Sequence, residues 1–313
     1  MAPIITVLGS LNMDFVVRVD ELPAPGVTTM GRDFQMIPGG KGANQACAVG
    51  RIGARTVQGY MIGRVGSDVF GDQLKASLSA AGVDVSAVYA KKEQPTGVAF
   101  IWVDASGQNS IVVAPGANFA IEASEVSGHR AVFQGARYAL FQLELPLPVV
   151  AAGLSVARQM GARTILDPAP AQPLSPDLLA NVDILTPNEQ EACLLLGRSI
   201  ERIEENEYRR VAGALRGLGV RSVILKLGSR GALYFDGDVE ILQPVFKVDA
   251  VDATAAGDIF NGALAVTLAE GKPMQVALRF AAAAAAISVT RVGAQSSVPL
   301  RSEVEEFLRS RAS

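Results

Sequence analysis

The sequence predicts an α/β protein with a mostly parallel, doubly wound sheet flanked by helices. Short apolar runs typical of buried strands alternate with amphipathic segments that have helical spacing. Examples of the strand-like runs are 5–9, 164–167, 183–186 and 222–228, and examples of the helical segments are 71–82 and 209–219. This alternation indicates strand–helix–strand crossovers, which cover both faces of a parallel sheet with helices. With 313 residues, 49% of them hydrophobic, the chain can fill one large α/β domain or two modest ones.

Three further strand-like stretches break this alternation, because turns rather than helices join them. They are 15–19, 96–104 and 109–115. They form either a small β layer beside the main sheet or edge strands of that sheet, and the pattern alone favours neither arrangement. The alanine run 281–286 predicts a helix packed closely against its neighbours rather than a linker.

Charge and composition argue against several classes of function. A net charge of −3 leaves no basic surplus, so we expect neither nucleic acid nor a membrane as a partner. The start of the chain lacks a basic region before its apolar run, and Cys47 and Cys193 lie far apart, which together predict a cytoplasmic protein with packing cysteines. The single histidine, His129, makes a histidine-ligated zinc or a Ser-His-Asp triad improbable. The chemistry is therefore expected from carboxylates and backbone amides.

The segment 251–258 is followed by a helical pattern that ends near Gly271. Small residues at the predicted helix start, Ala255, Ala256 and Gly257, let a ligand approach the free N–H groups and the positive end of the helix dipole. This predicts an anion hole. Asp258 beside a bound anion would suit proton transfer or the orientation of a nucleophile, although an acid in a first helical turn is also common without any such role.

Two more segments offer polar groups directly after predicted strands or turns. The glycine-rich turn 38–45 carries Lys41 and Asn44 as donors for hydroxyl or phosphate oxygens, but it lacks the spacing of a P-loop. Asn12 and Asp14 alternate after the first strand, so in an extended chain they point the same way and could bind vicinal hydroxyls. An Asx turn at the strand end is the competing interpretation.

The remaining strand ends carry further acids. In 185–191, Asn188 is the expected N-cap, and Glu189 and Glu191 have the positions of acids that complement a helix dipole. Glu144 and Asp167 also follow predicted strands, and each is equally consistent with an ordinary turn.

Taken together, these segments resemble the ribokinase-like family of carbohydrate kinases. The two family signatures correspond to GGKGANQA (39–46) and VDATAAGDIFNGAL (251–264), about 210 residues apart. Shorter matches occur in the expected order around them, namely GSLNMD, TGVA, GAN (116–118), TPNEQEA, LGSRG and RVGAQSSVP. The resemblance covers nearly the whole chain and implies one kinase domain over 1–313, with the strands at about 13–38 and 96–116 forming a β lid.

The resemblance also implies a role for individual residues. Asp258 would be the catalytic base, with the anion hole at Ala255, Ala256 and Gly257. The sugar would be held by Asn12, Asp14, Gly40, Lys41, Asn44 and Glu144, together with Asp258. The nucleotide, its phosphates and magnesium-bound water would meet Asn188, Glu191, Lys226, Gly228 and Gly257, with Lys226 standing where some members have threonine. A monovalent cation, usually K⁺, would lie in loops that contain Asp252, Thr254, Ser288, Arg291, Gly293 and Ser297, largely through main-chain carbonyls.

The expected reaction is transfer of the ATP γ-phosphoryl group, with Mg²⁺, to the primary 5-hydroxyl of D-ribose, giving ribose 5-phosphate. Another sugar or a nucleoside as acceptor is the alternative, and a non-catalytic sugar or nucleotide sensor is a further one. The resemblance also implies a homodimer formed through the lid. An NAD-dependent dehydrogenase is disfavoured because the dinucleotide glycine fingerprint is missing after the first strand.

Overall fold

The computed structural model describes residues 2–106, 108–199 and 202–311. In chain order the strands are β1 (Ile4–Leu8), β2 (Asn12–Arg18), β3 (Arg32–Gly39), β4 (Gln58–Gly66), β5 (Val83–Lys91), β6 (Gly97–Val103), β7 (Asn109–Ala114), β8 (Ala136–Phe141), β9 (Arg163–Leu166), β10 (Ile184–Leu185), β11 (Ser222–Lys226), β12 (Ala232–Phe235) and β13 (Glu240–Gln243).

The helices cover most of the segments between these strands. They are α1 (Lys41–Gly53), α2 (Val69–Ala80), α3 (Ala123–Val126), α4 (Arg130–Phe133), α5 (Leu147–Gln159), α6 (Pro176–Leu179), α7 (Glu189–Leu195), α8 (Tyr208–Gly217), α9 (Ala256–Ala269), α10 (Met274–Ser288) and α11 (Arg301–Arg309). Short 3₁₀ turns occupy Gly116–Ala120, Ser127–His129, Glu205–Glu207, Gly228–Arg230 and Gln295–Ser297. Among the described residues, no helix is both long and apolar enough to span a membrane.

Nine strands form the main sheet, in the order β13-β12-β11-β10-β9-β8-β1-β4-β5. The strands from β11 to β5 are parallel, and β12 and β13 add an antiparallel edge. The predicted mostly parallel sheet is therefore confirmed. The chain builds outward from β1 in both directions, so the strand order reverses between β1 and β8. Ligands of open α/β sheets bind at such a reversal, beyond the carboxyl ends of the strands.

Helices cover both faces of this sheet, and each face has its own hydrophobic core. One core packs α1, α2, α9, α10 and α11 on the sheet, and the other packs α3 to α8. The predicted alanine-rich helix is α10, in which Ala281, Ala283 and Ala284 are fully buried. Gly262 allows α9 to lie close to α1, because a Cβ there would come within 2.5 Å of the Ala48 Cβ. This close packing brings the starts of α1 and α9 to the same place.

A second sheet has the order β3-β2-β6-β7 and is separate from the first. Its β2–β3 and β6–β7 pairs are antiparallel, whereas β2 and β6 are parallel. The stretches that the sequence left unassigned thus form a β layer of their own rather than edge strands. Phe15 in its middle stacks on Phe34 and Phe100 and meets Phe70 of α2 edge-on, which anchors the layer to the main body.

Candidate active site

The N-terminal ends of α1 and α9 meet at the centre of the site. Lys41, Asn44 and Gln45 are spaced i, i+3 and i+4, so they share one face of α1. That face meets Asp258, whose carboxylate accepts one hydrogen bond from Asn44 Nδ2 and another from Gln45 Nε2, each 3.1 Å long. The two distant glycine-rich segments are therefore brought into direct contact.

The start of α9 has the features of an anion hole. Ala255 adopts a left-handed conformation with φ of 59°, and the helix begins at the next residue. The first N–H groups of a helix lack intrahelical acceptors and lie at its positive end, so they attract an anion. The Lys226 ammonium lies beside these N–H groups: a Cβ added to Gly257 would be 3.3 Å from Lys226 Nζ. Backbone dipoles and an ammonium group thus converge where the predicted phosphate would lie.

Asp258 is only 4% exposed. Burial is the largest influence on its pKa and raises it, Lys41 opposes that effect, and the carboxylate of Asp167 adds to it. Hydrogen bonds from Gln45 and Asn44 stabilise the charged form and lower the pKa again, although the net direction is upward. A carboxylate with a raised pKa is well suited to accept a proton from a hydroxyl.

Lys41 lies among carboxylates from several elements. Burial lowers the pKa of its ammonium, but Asp258, Asp167, Glu144 and Glu191 outweigh burial and raise it. Its backbone N–H donates to Glu144 Oε2 at 3.0 Å. Lys41 therefore stays protonated and supplies a positive charge beside Asp258.

Asn12 and Asp14 lie on one face of β2, as their alternation predicted. Asn12 is 2% exposed, and its Oδ1 accepts from Asn118 Nδ2 at 2.8 Å. Asn118 also holds the Leu11 backbone, accepting from its N–H at 2.9 Å and donating to its carbonyl at 3.0 Å. The side chain of Asn12 is thus held by a residue 106 positions away rather than by a local Asx turn.

Asp14 lies against Gly39, and its pKa is raised well above its ordinary value. A side chain on Gly39 would collide with the Asp14 carboxylate. Burial, followed by the charges of Glu144 and Asp258, raises the pKa of Asp14 to about 7. Glu144 itself accepts from the Ser10 hydroxyl at the reversal between β1 and β8. Asp14, Glu144 and Asp258 therefore lie close enough together for the charges of the last two to act on Asp14.

Four of the predicted nucleotide residues, Asn188, Glu191, Lys226 and Gly228, lie at or just after the ends of β10 and β11. Asn188 is the N-cap of α7, as predicted, and forms a reciprocal capping box with Glu191, with bonds of 2.8 Å. The backbone of Asn188 also forms an isolated parallel β-bridge with Lys226 at the end of β11. Gly228 follows two residues later with a φ of 56°. Burial is the main cause that raises the pKa of Glu191, while Lys226 opposes it.

Four polar residues that the sequence did not assign to the site lie in or behind it: Gln45, Asn118, Gln142 and Asp167. Gln45 Nε2 donates to Asp167 Oδ2 as well as to Asp258, and Lys226 Nζ donates to Asp167 Oδ1 at 2.9 Å. The position of Gln45, four residues after Lys41, is a signal that could have identified it. The others lie on separate segments, so their contacts depend on the tertiary fold.

The predicted cation loops also meet. Asp252 Oδ1 accepts from the backbone and hydroxyl of Thr254 at 2.9 and 2.6 Å, and Oδ2 accepts from Gly293 N at 2.8 Å. The Arg291 side chain pairs with Glu303 of α11. The Ser288 and Ser297 hydroxyls each donate to a nearby backbone carbonyl, those of Ala285 and Ala294. The groups that remain to bind a cation in these loops are oxygens, chiefly those of backbone carbonyls.

Comparison with known proteins gives a consistent result. The sequence model of the family described as pfkB family carbohydrate kinase matches residues 3–301 of this chain. The chain is 41% identical over 308 residues to a ribokinase from Haemophilus influenzae and 40% identical over 304 residues to one from Bacillus subtilis, covering 98% and 97% of this chain and 99% of each relative. The solved structure of Arabidopsis thaliana ribokinase complexed with ribose and ATP superimposes with a TM-score of 0.89 at 34% identity, covering 99% of each chain.

Proposed function

The chain belongs to the pfkB family of carbohydrate kinases, and from this we propose that it transfers the γ-phosphoryl group of ATP to the 5-hydroxyl of D-ribose. The observation that carries the proposal is the buried Asp258 at the paired starts of α1 and α9, which accepts hydrogen bonds from Asn44 and Gln45 and is influenced by the charge of Lys41. The identity of about 40% to ribokinases over nearly the full length supports ribose as the acceptor. We propose that 1–313 acts as one kinase domain.

Asp258 orients the acceptor hydroxyl and takes its proton. The transition state of phosphoryl transfer is loose, so positioning and charge stabilisation contribute more than forceful deprotonation. The raised pKa of Asp258 allows it to accept the proton late, once the bond to phosphorus is forming. The N–H groups at Ala255–Gly257 and the ammonium of Lys226 lie where they would stabilise the transferred group.

The sugar is held on the wall formed by β2, Gly39 and Gly40, and Glu144. The carboxylate of Asp14 and the amide of Asn12 offer paired acceptors and donors to vicinal hydroxyls. Asn44 Oδ1 is buried and, within the described residues, has no hydrogen-bond partner, so it is available to a sugar hydroxyl. Lys41 completes this set with a charged donor.

ATP would bind across the ends of β10 and β11, with its phosphates at α9. Glu191 and Asn188 present oxygens of the kind that hold Mg²⁺ through water, and this fits their partly exposed position. Bound Mg²⁺ would neutralise phosphate charge. K⁺ would be held through carbonyl oxygens of the loops that contain Asp252, Thr254, Ser288, Arg291, Gly293 and Ser297. The hydrogen bond from the Gly293 N–H to Asp252 fits this role, because it keeps the two loops together.

We also propose that the second sheet is a lid over the sugar and the interface of a homodimer. Its strands carry large apolar side chains that are strongly exposed, which is unusual for a monomer surface. Examples are Phe34, Met36, Ile111, Val112 and Val113, each between 43% and 58% exposed. The cytoplasmic location inferred from the sequence stays a prediction.

An ADP-release assay over pentoses, 2-deoxyribose, hexoses and nucleosides tests this function. Ribose should be the best acceptor, and K⁺ should increase the rate relative to Na⁺. Asp258→Asn should still bind ribose in calorimetry but lose roughly 10²- to 10⁴-fold in kcat, because only the transition state needs the base. Activity confined to nucleosides would refute ribose as the acceptor, and unchanged turnover of Asp258→Asn would refute the assignment of the base.

A further inference from the structure

Gln45 forms a buried link between two carboxylates and a second glutamine. Gln45 and Gln142 are fully buried, and Asp167 is only 2% exposed. Gln45 Nε2 lies 3.1 Å from Asp258 Oδ1 and 3.1 Å from Asp167 Oδ2, and its Oε1 lies 2.7 Å from Gln142 Nε2. One amide side chain therefore contacts three polar residues from three other segments of the chain.

Chemistry allows only one orientation of this amide. Ionised carboxylates accept hydrogen bonds but cannot donate them, so the NH₂ group of Gln45 must face Asp258 and Asp167. Its Oε1 then faces Gln142, which has to donate to it. The two hydrogens on Nε2 are both used, one for each carboxylate. A reversed amide would place an oxygen against two buried carboxylates, which is strongly unfavourable.

This arrangement holds the plane of the Asp258 carboxylate. The terminal torsion of an aspartate has a broad, shallow preference, so its orientation must come from its surroundings. Gln45 holds Oδ1 and Asn44 holds Oδ2, which leaves the remaining lone pairs in fixed directions. The efficiency of a base depends on the direction of its lone pairs, because a small displacement of a reacting group lowers the reaction rate by a large factor.

Asp167 completes the link on the nucleotide side. Its Oδ2 accepts from Gln45, and its Oδ1 accepts from Lys226 at 2.9 Å. The charged groups that act on Asp258 are thus Lys41 from α1, Asp167 after β9 and, across the sugar wall, Asp14 from β2. Gln45 lies between Asp258 and Asp167 and donates a hydrogen bond to each.

We propose that Gln45, with its amide fixed by Gln142, is a positioning residue for the catalytic base and aims Asp258 at the acceptor hydroxyl. This inference rests on the proposed kinase function, because it assumes that Asp258 is the base. It assigns Gln45 a role distinct from sugar binding, since both of its N–H groups are committed to carboxylates.

The test replaces Gln45 by methionine, which keeps the length of the side chain and removes both donors. Gln45→Met should lower kcat by roughly 10- to 100-fold with little change in the KM for ribose. The acidic limb of the kcat–pH profile should move to higher pH, because a hydrogen bond that favoured the charged form of Asp258 is gone. Gln142→Met should shift both quantities in the same direction but less, because Gln45 itself remains.

Two controls separate this role from a structural one. Gln159→Met makes the same change at an exposed glutamine of α5 and should leave kcat and the pH profile unchanged. If Gln45→Met is too unstable to assay, Gln142→Met carries the test alone. Unchanged kcat in folded Gln45→Met and Gln142→Met, or a fall in kcat without a shift of the acidic limb, would overturn the proposal.

Carbon-13 NMR of the Asp258 carboxyl, compared with Asp258→Asn for assignment, provides a readout that needs no turnover. The titration midpoint of Asp258 should be higher in Gln45→Met than in the wild-type protein. A wild-type protein without activity on any sugar would refute the proposed function and with it this inference, whereas in an active protein the NMR midpoint tests the inference separately. Equal midpoints in the two proteins would overturn it.

Discussion

Lys226 and Asp167 form a buried ion pair in which each partner depends on the other. The Asp167 side chain is 2% exposed and the Lys226 side chain 15%. Such a pair contributes little net stability compared with neutral residues, but removal of one partner leaves the other charge buried and unpaired.

Lys226→Thr should therefore lower the free energy of unfolding by about 3 kcal/mol, because Asp167 would lose its cation. Asp167→Asn combined with Lys226→Thr should recover more than half of that loss, since no buried charge is left unpaired. Urea unfolding of the wild type, both single variants and the double variant measures the coupling. Additive effects of the two changes would contradict the ion-pair interpretation.

Asp14 gives the protein a specific pH dependence. Its pKa is about 7 in the folded protein against an ordinary value of 3.8, so the folded state binds more protons than the unfolded state between these pH values. Stability contributed by this group is therefore lost as pH rises through that window. Asp14→Asn should remove the effect and be more stable than wild type at pH 8, by on the order of 2 kcal/mol given its partial exposure.

Thermal unfolding of Asp14→Asn and wild type at pH 4 and pH 8 tests this expectation. The difference between the two proteins should be large at pH 8 and small at pH 4, where Asp14 is protonated in the folded wild type. Equal differences at both values would show that Asp14 is not the titrating group.

At the scale of the elements, the contact between α1 and α9 determines the geometry of the site. Gly262→Ala should force the two helices apart, because its Cβ would lie 2.5 Å from the Ala48 Cβ and 2.9 Å from the Gln45 carbonyl oxygen. We expect a loss of about 1–3 kcal/mol in the free energy of unfolding and a fall in kcat of roughly 10-fold or more.

The compensating change is Ala48→Gly in the Gly262→Ala background, which removes one of the two opposing groups. Partial recovery of both the melting temperature and kcat is expected. Recovery of neither would indicate that the Gln45 carbonyl, and not Ala48, limits the approach of the helices.

The elements themselves were largely predictable from the sequence. Short apolar runs and helical apolar spacing located β1, β9, β11, α2 and α8 to within a few residues, because burial inside a parallel sheet or on one helix face favours these patterns. The same patterns could not place β2, β6 and β7, since a strand in a separate layer and an edge strand of the main sheet show the same alternation. Their placement depends on pairing between distant segments.

The candidate site followed a similar rule. Local features, a helix start and a glycine turn, marked Asp258 and Lys41 as candidates, and the resemblance to the family implied their roles. Asp167 was indistinguishable from an ordinary strand-end acid, because its partner Lys226 is 59 residues away and β10 lies between their strands. Gln142 shows no local signal at all; its role depends on where β8 ends relative to α1.

At the scale of the whole molecule, the lid proposal predicts a particular oligomer. Val113→Glu, on the exposed lid strand β7, should convert a homodimer into a monomer, because a charge in an apolar interface is costly to desolvate. Light scattering coupled to size-exclusion chromatography measures the mass. Val239→Glu makes the same change at a similarly exposed residue outside the lid and should leave the mass unchanged. A monomeric wild type would contradict the proposal.

The close packing of α1 against α9 has a consequence for the way the protein is made. Residues 41–53 leave the ribosome roughly 10–40 s before residues 256–269, at ordinary rates of synthesis. Throughout that interval Ala48 and Val49, which are buried against Gly262 of α9 in the finished fold, lack the helix that covers them. The nascent chain thus carries an uncovered apolar surface throughout that interval, of the kind that chaperones recognise, and its active site is incomplete until α9 has been made.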